Sequence, residues 1–301
     1  MELKQLGSTG VMLPEIGMGC WRYQGGIEPI RRGIELGSTL IDTAEIYGNE
    51  ELVGQAIEGV RDKIFVATKV SGRNLGHDDV LRAAEASIRR LGVNVIDLYQ
   101  IHWPNPAIPI RATMRAMETL VDRGLIRFIG VSQFSLADLR VALGLMRNHP
   151  IVSDQVRYNL NARTVEVDLL PYCDQHRITL IAYTPLDDGR LATLSAGGDR
   201  RTRTLRAITD ATGRTPAQVA LNWCTLHPAV IAIPKSNTVG RVAENCRASG
   251  WRLAPDQIAQ LNRAFSWKYL WCRSHAAKAW RRLRGQPSVL NQQIAIEGRD
   301  S

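Results

Sequence analysis

Residues 40–48 of this chain read Leu40-Ile41-Asp42-Thr43-Ala44-Glu45-Ile46-Tyr47-Gly48. The stretch starts as a short apolar strand and then becomes polar, so a carboxylate and a phenol stand together where a strand gives way to a loop. Loops that leave a rigid strand commonly carry function. Asp42 and Tyr47 are therefore the first candidate site residues.

Two later stretches end in the same way. Residues 64–69 close an apolar run with Lys69, and residues 95–102 close another with His102. Short apolar runs rich in β-branched and aromatic residues predict buried strands. Lys69 and His102 therefore join Asp42 and Tyr47 as candidates for one shared site.

Strands alternate with amphipathic helices along most of the chain. Beyond the three strands already named, further strands are predicted at 127–131, 151–155, 178–183 and 230–233, with a weak eighth at 247–252. Eight such alternations favour an α/β fold, a parallel (β/α)8 barrel of the TIM type, over an open sheet. In that fold the active site lies where the strands end, so three independent strand ends would point at one site.

An N-terminal β-hairpin is predicted ahead of the barrel, because residues 2–16 form two short apolar runs around Gly7-Ser8-Thr9-Gly10. The Gly17-Met18-Gly19 that follows is not a dinucleotide-binding fingerprint, since its third glycine would fall at Arg22. A Rossmann domain is therefore disfavoured. We expect one barrel domain over residues 1–265 and a separate tail over 266–301.

Capping signals predict where several helices begin. Ser135 with Asp138 resembles a capping box, Thr215 precedes a proline at the first helical position, and Asp78 can cap the helix after the second strand. A last helix is predicted over residues 255–265.

Composition bounds the class of protein. Of the 301 residues, 45% are hydrophobic and 22% are charged, which is typical of a globular domain. No apolar run approaches the roughly 18 residues of a membrane span, and residues 1–5 lack the apolar region of a signal peptide. We expect a soluble, cytoplasmic protein.

The cysteines and the net charge argue against several kinds of site. Five cysteines are scattered without a CxxC pair, so neither a zinc site nor a disulfide framework is indicated, and free thiols fit a reducing compartment. The net charge is +9, but residues 266–301 hold seven Lys/Arg against two Asp/Glu, which leaves +4 for the first 265 residues. The basicity is mostly a property of the tail, and a nucleic-acid partner is disfavoured.

Taken singly, Tyr47, Lys69 and His102 each have an ordinary structural role, as a packed aromatic, a strand end and a core histidine. Together they favour catalysis. An unpaired ammonium at the end of an apolar strand is costly, so Asp42 is the expected counter-ion of Lys69. A tyrosine near that lysine should have its pKa lowered from about 10, which would make Tyr47 a proton donor near neutral pH.

Several separated motifs resemble those of the aldo-keto reductase family, in the same order and spacing. They are residues 41–48, 68–70, 97–104, 129–134, 183–186 and 233–236, with Arg241, Glu244 and Asn245. The resemblance implies an oxidoreductase that reduces an aldehyde or ketone with NADPH and without a metal. It also implies a monomer, the state of many barrels in this family.

The resemblance implies a catalytic role for each of the four candidates. Tyr47 would be the general acid that protonates the carbonyl oxygen, while NADPH gives hydride to the carbon. Lys69, paired with Asp42, would lower the pKa of the tyrosine. His102 would orient and polarise the carbonyl group.

The resemblance also implies the residues that hold NADPH in preference to NADH. Tyr183, in one motif with Pro185 and Leu186, would stack on the nicotinamide, and Ser132 and Gln155 would bind its carboxamide. Gln133 stands where the family commonly has asparagine, which leaves its contact with the carboxamide open. The 2′-phosphate and the adenine would be held by residues around a helix start, namely Lys235, Ser236, Asn237, Thr238, Arg241, Glu244 and Asn245.

Trp21 and Trp103 are, with Tyr47, the aromatic residues expected around an open substrate pocket; packing under loops is the alternative for the two tryptophans. In this family the C-terminal segment can fold over the barrel mouth, so Trp267 or Trp271 would contribute. The rest of the tail is expected to be a solvated, partly disordered end, or else an element that attracts an anionic substrate or surface.

A function of another class stays open. A barrel of this family could bind NADP(H) without catalysis and act as a regulatory subunit, with the basic tail as its interaction element. The presence of all four catalytic residue types argues against this alternative, and the physiological carbonyl compound does not follow from the sequence.

Overall fold

The computed structural model describes residues 1–193 and 198–266. Short apolar runs form its strands, and runs with a period near 3.6 form the helices between them. The strands are β1 (Leu3–Gln5), β2 (Met12–Pro14), β3 (Met18–Gly19), β4 (Leu40–Asp42), β5 (Phe65–Val70), β6 (Ile96–Ile101), β7 (Ile126–Ser132), β8 (Ile151–Arg157), β9 (Thr179–Tyr183) and β10 (Val230–Ala232). The helices are α1 (Ile27–Glu35), α2 (Glu50–Ile57), α3 (His77–Leu91), α4 (Ile110–Asp122), α5 (Leu136–Leu143), α6 (Leu169–Gln175), α7 (Arg200–Thr212), α8 (Pro216–Cys224), α9 (Val239–Cys246) and α10 (Pro255–Ala264).

β3 to β10 form one parallel sheet in which each strand pairs with the next along the chain. The two edges of the sheet meet. The amide of Gly17 donates to the carbonyl of Ala232 over 2.8 Å, and the amide of Ala232 donates to the carbonyl of Glu15 over 2.9 Å. The predicted (β/α)8 barrel is confirmed, and β1 and β2 form the predicted antiparallel hairpin.

One predicted strand is wrong. Residues 247–252 form no strand, and the eighth strand of the barrel is β3, which pairs with β4. β3 has only two residues, and two residues are too few for an alternating pattern to be read from a sequence. Helices α1 and α7 likewise have no counterpart in the prediction.

The capping signals are confirmed at two of three helices. Ser135 and Thr215 each accept from the backbone amide three residues on, and the side chain of that later residue bonds back, so α5 and α8 both start with a capping box. Asp78 is not a cap. Gly76 is the N-cap of α3, and Asp78 lies inside the first turn, where a carboxylate still favours the positive end of the helix dipole.

The amino-terminal end of the barrel interior is filled with apolar side chains. Leu6 and Leu13 of the hairpin are buried there together with Leu40, Phe65 and Leu98. Packing of this density leaves no room for a ligand. The interior that a ligand can reach is therefore at the carboxyl ends of the strands.

Lys4 fastens the hairpin to the barrel. Its Nζ donates to the carbonyls of Thr225, His227 and Val230, the last two over 2.8 Å each. The carboxylate of Glu15 lies 3.9 Å away. Three carbonyls and one carboxylate satisfy an ammonium that has little contact with water.

In the described part of the chain, no helix combines the length and the apolarity needed to cross a membrane. Residues 267–301 lie outside the described residues. Trp267, Trp271 and nearly all of the predicted basic tail belong to that segment, so the boundary between residues 1–265 and 266–301 stays a prediction.

Candidate active site

Asp42 and Lys69 form a buried ion pair in the barrel mouth. Asp42 ends β4, Lys69 lies on the adjacent strand β5, and their exposed fractions are 3% and 0%. The Nζ of Lys69 donates to Oδ1 of Asp42 over 2.5 Å and to the carbonyl of Thr43 over 2.9 Å. Burial alone would lower the pKa of Lys69, but Asp42 and Tyr47 together raise it, so the ammonium stays charged.

Tyr47 and His102 stand beside this pair. Tyr47 lies in a 3₁₀ turn, Glu45–Tyr47, directly after β4, and its hydroxyl is 3.3 Å from Nε2 of His102, which follows β6. The Nζ of Lys69 lies 5.1 Å from the centre of the Tyr47 ring. The structure thus brings the four predicted catalytic side chains together, while their catalytic roles stay predictions.

The turn that carries Tyr47 is tied to a neighbouring loop by Glu45. The carboxylate of Glu45 accepts from the amide of Ser71 over 2.5 Å and from the side chain of Asn74 over 3.0 Å. These two bonds hold the turn against the loop that follows β5. Glu45 lies inside the 40–48 stretch but was not among the predicted site residues, because nothing in the sequence indicates its partners.

Burial has the largest effect on the pKa of Tyr47. It raises the pKa of the phenol above its ordinary value; the ammonium of Lys69 opposes this shift, and Asp42 adds to it. The prediction that the pKa of Tyr47 is lowered is therefore wrong for this structure, because the phenol has lost water and the charge of Lys69 is balanced by Asp42. Tyr47 is protonated at neutral pH, which a proton donor requires.

His102 is a neutral imidazole at the same pH. Burial, reinforced by the positive charge of Lys69, lowers the pKa of His102 to about 3. Its Nδ1 is buried and has no hydrogen-bond partner among the described residues. At Nε2, next to Tyr47, a neutral imidazole can make one hydrogen bond without carrying a charge.

Two buried glutamines complete the environment of Asp42. Its Oδ2 accepts from Nε2 of Gln155 over 2.7 Å and from Nε2 of Gln100 over 3.0 Å. The Nε2 of Gln155 also donates to Oε1 of Gln100 over 3.3 Å. Gln155 is predicted to contact the cofactor, whereas Gln100 is not predicted as a site residue; its signal in the sequence is an amide in a strand that, apart from Asp97, consists of Ile, Leu and Tyr.

Ser132 and Gln133 lie where β7 ends, beside Gln155. The hydroxyl of Ser132 and the backbone N–H of Gln133 both donate to the backbone carbonyl of Gln155 over 2.9 Å. Gln133 is exposed, has a φ of 60°, and donates from its side chain to the carbonyl of His102 over 3.2 Å. The side chain of Gln133, longer than the asparagine common in the resembled family, thus links the ends of β6 and β7. Its contact with the nicotinamide carboxamide stays a prediction.

The loop after β9 has a strained backbone. Thr184, Asp187 and Asp188 have φ angles of 50°, 49° and 55°, a region that residues other than glycine seldom adopt. Strain of this kind persists only where the surroundings hold it, and it concentrates at binding sites. The predicted cofactor residues of this region, Tyr183, Pro185 and Leu186, all lie in or directly before this loop.

Two exposed cations lie at the start of α9, Lys235 in the loop that precedes the helix and Arg241 in its first turn. Lys235 and Arg241 have no ion-pair partner among the residues that the structure describes, and Thr238 caps α9 by accepting from the amide of Arg241. Cations beside the amides of a helix N-terminus suit a phosphate dianion. The other residues predicted here lie in the same segment, namely Ser236, Asn237, Glu244 and Asn245, and the side chain of Asn245 donates to Ser236 over 2.8 Å.

Aromatic rings form the outer wall of the site. The ring of Trp21 is 5.0 Å from that of Tyr47, and the ring of Trp103 is 4.8 Å from that of His102. The indole of Trp103 lies on the backbone of Gly72, where a Cβ would come within 2.1 Å of its Nε1. Both predicted tryptophans therefore lie beside predicted catalytic side chains, and their contact with substrate stays a prediction.

Cys20 borders the site without the properties of a nucleophile. Burial raises the pKa of its thiol to about 12, and Asp42 adds to the shift. Because the thiolate is the reactive form, thiol chemistry is disfavoured here. Within residues 1–193 and 198–266, no group of three His, Cys, Asp or Glu side chains is arranged to hold a metal ion.

Comparison with known proteins shows the family to which the chain belongs. The profile of the Aldo/keto reductase family matches residues 15–265. Methylglyoxal reductase YeaE of Escherichia coli (strain K12) is 37% identical over 278 residues, which cover 88% of this chain and 96% of that protein. The 9,11-endoperoxide prostaglandin H2 reductase of Trypanosoma cruzi (strain CL Brener) is 35% identical over 260 residues, which cover 84% of this chain and 88% of that protein.

Solved structures share the fold. A thermostable aldo-keto reductase in complex with the inhibitor epalrestat has a TM-score of 0.82 at 39% identity, covering 88% of this chain and 100% of its own. An aldo/keto reductase from Klebsiella pneumoniae in complex with NADP and acetate has a TM-score of 0.80 at 38% identity, covering 88% of this chain and 96% of its own.

Proposed function

This chain belongs to the Aldo/keto reductase family, and from that premise we propose that it reduces a small aldehyde, ketone or dicarbonyl to the alcohol with NADPH. The observation that carries the proposal is the contact between Tyr47 and His102 beside the ion pair of Lys69 and Asp42. Two neutral hydrogen-bonding groups 3.3 Å apart can both reach one carbonyl oxygen.

Tyr47 acts as the general acid in this proposal. Its hydroxyl donates to the carbonyl oxygen, and it gives up the proton as negative charge develops there. Lys69 stabilises the phenolate that is left, and Asp42 keeps Lys69 in place. His102 donates from Nε2 to the same oxygen and so fixes the direction of the carbonyl group.

When bound, NADPH supplies the hydride to the carbonyl carbon. Ser132 and Gln155 hold its carboxamide, Tyr183 stacks on the ring, and Lys235 with Arg241 binds the 2′-phosphate. Both hydrogens of the Gln155 side-chain amide are donated to Asp42 and Gln100. The side-chain oxygen Oε1 of Gln155 is therefore the atom that accepts from the carboxamide. The Klebsiella pneumoniae relatives crystallised with NADP and with NADPH support this choice of cofactor.

The substrate we favour is a short α-dicarbonyl. The relative from Escherichia coli is named a methylglyoxal reductase. The indole of Trp21, which is 50% exposed, borders the barrel mouth, and such a mouth accepts a small, flat molecule without needing an ionic partner.

We further propose a cytoplasmic monomer, with a barrel domain over 1–265. The free, buried cysteines of the described residues, Cys20, Cys173, Cys224 and Cys246, support a reducing compartment.

NADPH oxidation by the purified protein tests the proposal, with a panel of aldehydes, ketones and α-dicarbonyls and with NADH as comparison. Tyr47→Phe should abolish turnover, by at least about a thousandfold in kcat, while NADPH still binds. Tyr172→Phe, on helix α6, is the matched control and should keep full activity. NADPH binding without turnover on any carbonyl would instead favour the non-catalytic, regulatory alternative.

A further inference from the structure

Gln100 stands between the proton-donor side of the barrel mouth and the cofactor side. Its Nε2 donates to Oδ2 of Asp42 over 3.0 Å, and its Oε1 accepts from Nε2 of Gln155 over 3.3 Å. The side chain has no exposed surface. Hydrogen bonds that are shielded from water in this way are stronger and more directional than exposed ones.

The charge of Asp42 determines how both amides are oriented. A carboxylate only accepts hydrogen bonds, so Gln100 and Gln155 must both turn their NH2 groups toward it. One hydrogen of the Gln155 amide goes to Asp42 over 2.7 Å, and the other goes to Gln100. The hydrogen bonds therefore converge on Asp42, which accepts from Gln155 and Gln100 at Oδ2 and from Lys69 at Oδ1.

The barrel makes room for this contact at Gly130. Gln100 is on β6 and Gln155 is on β8, and the residue of the intervening strand β7 that pairs with Gln100 is Gly130. A Cβ on that glycine would come within 2.9 Å of Cγ of Gln100 and 2.6 Å of Oγ of Ser153. Because the middle strand has no side chain at this point, the two glutamines can meet across it.

We propose that Gln100 is a positioning residue that, with Gln155, holds the carboxylate of Asp42 against Lys69 and links the nicotinamide end of the cofactor site to the proton donor Tyr47. The inference rests on the proposed function. Loss of Gln100 removes one donor from Asp42 and the acceptor that fixes the amide of Gln155. The proton donor and the carboxamide acceptor would then both be less well fixed.

A double-mutant cycle tests the Asp42 side of this link. Gln100→Leu keeps the volume of the side chain and removes both hydrogen-bonding ends; we expect kcat to fall about tenfold, and by less than about twofold when Asp42→Asn is already present. An equal loss in both backgrounds, or no loss in the first, overturns the proposal. Ser153→Ala removes a buried hydroxyl that has no partner among the described residues and is the matched control, with kcat unchanged.

Ligand binding tests the cofactor side and needs no turnover. Gln100→Leu should weaken NADPH several-fold, measured by fluorescence titration, and leave the affinity for 2′,5′-ADP unchanged, because that ligand carries the 2′-phosphate without a nicotinamide. Unchanged NADPH binding, or equal weakening of the two ligands, overturns the link. A wild-type protein that reduces no carbonyl would contradict the proposed function. The titration would still decide whether Gln100 positions the cofactor site.

Gln100→Glu tests the donor itself. A protonated carboxyl group can donate to Asp42 as the amide does, whereas a carboxylate repels it, so the loss in kcat relative to wild type should grow as the pH rises from about 5.5 to 8.5. A loss that stays constant over that range contradicts a donor role, since a packing defect does not titrate.

Discussion

The hydroxyl of Tyr47 lies 3.3 Å from Nε2 of His102, and both groups are uncharged at neutral pH. Burial is the first cause in each case. It raises the pKa of the phenol and lowers the pKa of the imidazole to about 3. A carbonyl oxygen that enters this space meets two neutral hydrogen-bond donors, and the ammonium of Lys69 lies 5.1 Å from the centre of the Tyr47 ring.

The pH dependence of reduction should reflect these two pKa shifts. We expect kcat/KM for carbonyl reduction to show no inflection near pH 6.5 and to fall only in strongly alkaline solution, because Tyr47 must keep its proton to donate it. Alcohol oxidation with NADP+ needs the phenolate and should therefore rise with pH. A rate that changes through an apparent pKa of about 6.5 would contradict a neutral His102.

His102 should also make the fold sensitive to acid. Its pKa is about 3 in the folded protein and about 6.5 in an unfolded chain, so the unfolded chain binds the proton first. The stability it confers is complete above about pH 6.5 and is lost as the pH falls toward 3, by about 3 kcal/mol between pH 7 and 4. Urea unfolding of wild type and His102→Asn at the two pH values measures this difference, and parallel losses in both proteins would count against it.

Gly72 should control the position of Trp103. A Cβ at residue 72 would come within 2.1 Å of the indole Nε1, so Gly72→Ala must displace the ring from its position beside His102. We expect KM for a bulky aromatic aldehyde to change about fivefold and kcat for methylglyoxal to change less than about twofold. Gly144→Ala, where the nearest heavy atom would be 3.5 Å away, is the control, and equal kinetics for the two variants would refute the idea.

Lys235 should select the phosphorylated cofactor. It is exposed, has no ion-pair partner within the described ranges, and lies close in sequence to the start of α9. Lys235→Met should weaken NADPH about tenfold and leave NADH unchanged, because only NADPH carries the 2′-phosphate. Fluorescence titration with both cofactors checks this, Lys63→Met serves as the exposed control, and a similar loss for NADH would contradict the assignment.

Lys4 should contribute to stability and not to catalysis. Its Nζ donates to three backbone carbonyls at the end of the barrel opposite the site, and a buried carbonyl that loses its donor is costly. Lys4→Met should lower the free energy of unfolding by about 2 kcal/mol and leave kcat unaltered. Urea unfolding and NADPH oxidation of the same preparation measure the two effects, and a stable variant with reduced kcat would reverse the expected pattern.

The strands that could be predicted from the sequence are those with enough residues to show a pattern. β5 and β6 each have six buried residues and end in or just before an ionisable side chain, so both the barrel and the positions of Lys69 and His102 followed. β3 has two residues and offers no such pattern, so the sequence predicts the closing strand wrongly, at 247–252.

The polar network inside the barrel could not be predicted in the same way. Gln100 has no ionisable group, and its partners Asp42 and Gln155 are 58 and 55 residues distant in sequence. The sequence predicts the wrong sign for the shift in the pKa of Tyr47 for a related reason. Proximity to Lys69 can be inferred from neighbouring strands, but how far the phenol is buried depends on packing that only the folded chain defines.

The hydrogen bonds of the N-terminal hairpin can form only late in the synthesis of the chain. The amide of Gly7 donates to Thr179, 172 residues later, and Lys4 donates to the carbonyl of Val230, 226 residues later. The hairpin leaves the ribosome early, but its partners emerge only after most of the barrel has been made. Contacts between such distant residues form slowly and leave apolar side chains uncovered meanwhile. Leu6 and Leu13 therefore stay uncovered until the chain has been made as far as about residue 230, and the amino-terminal end of the barrel interior closes late.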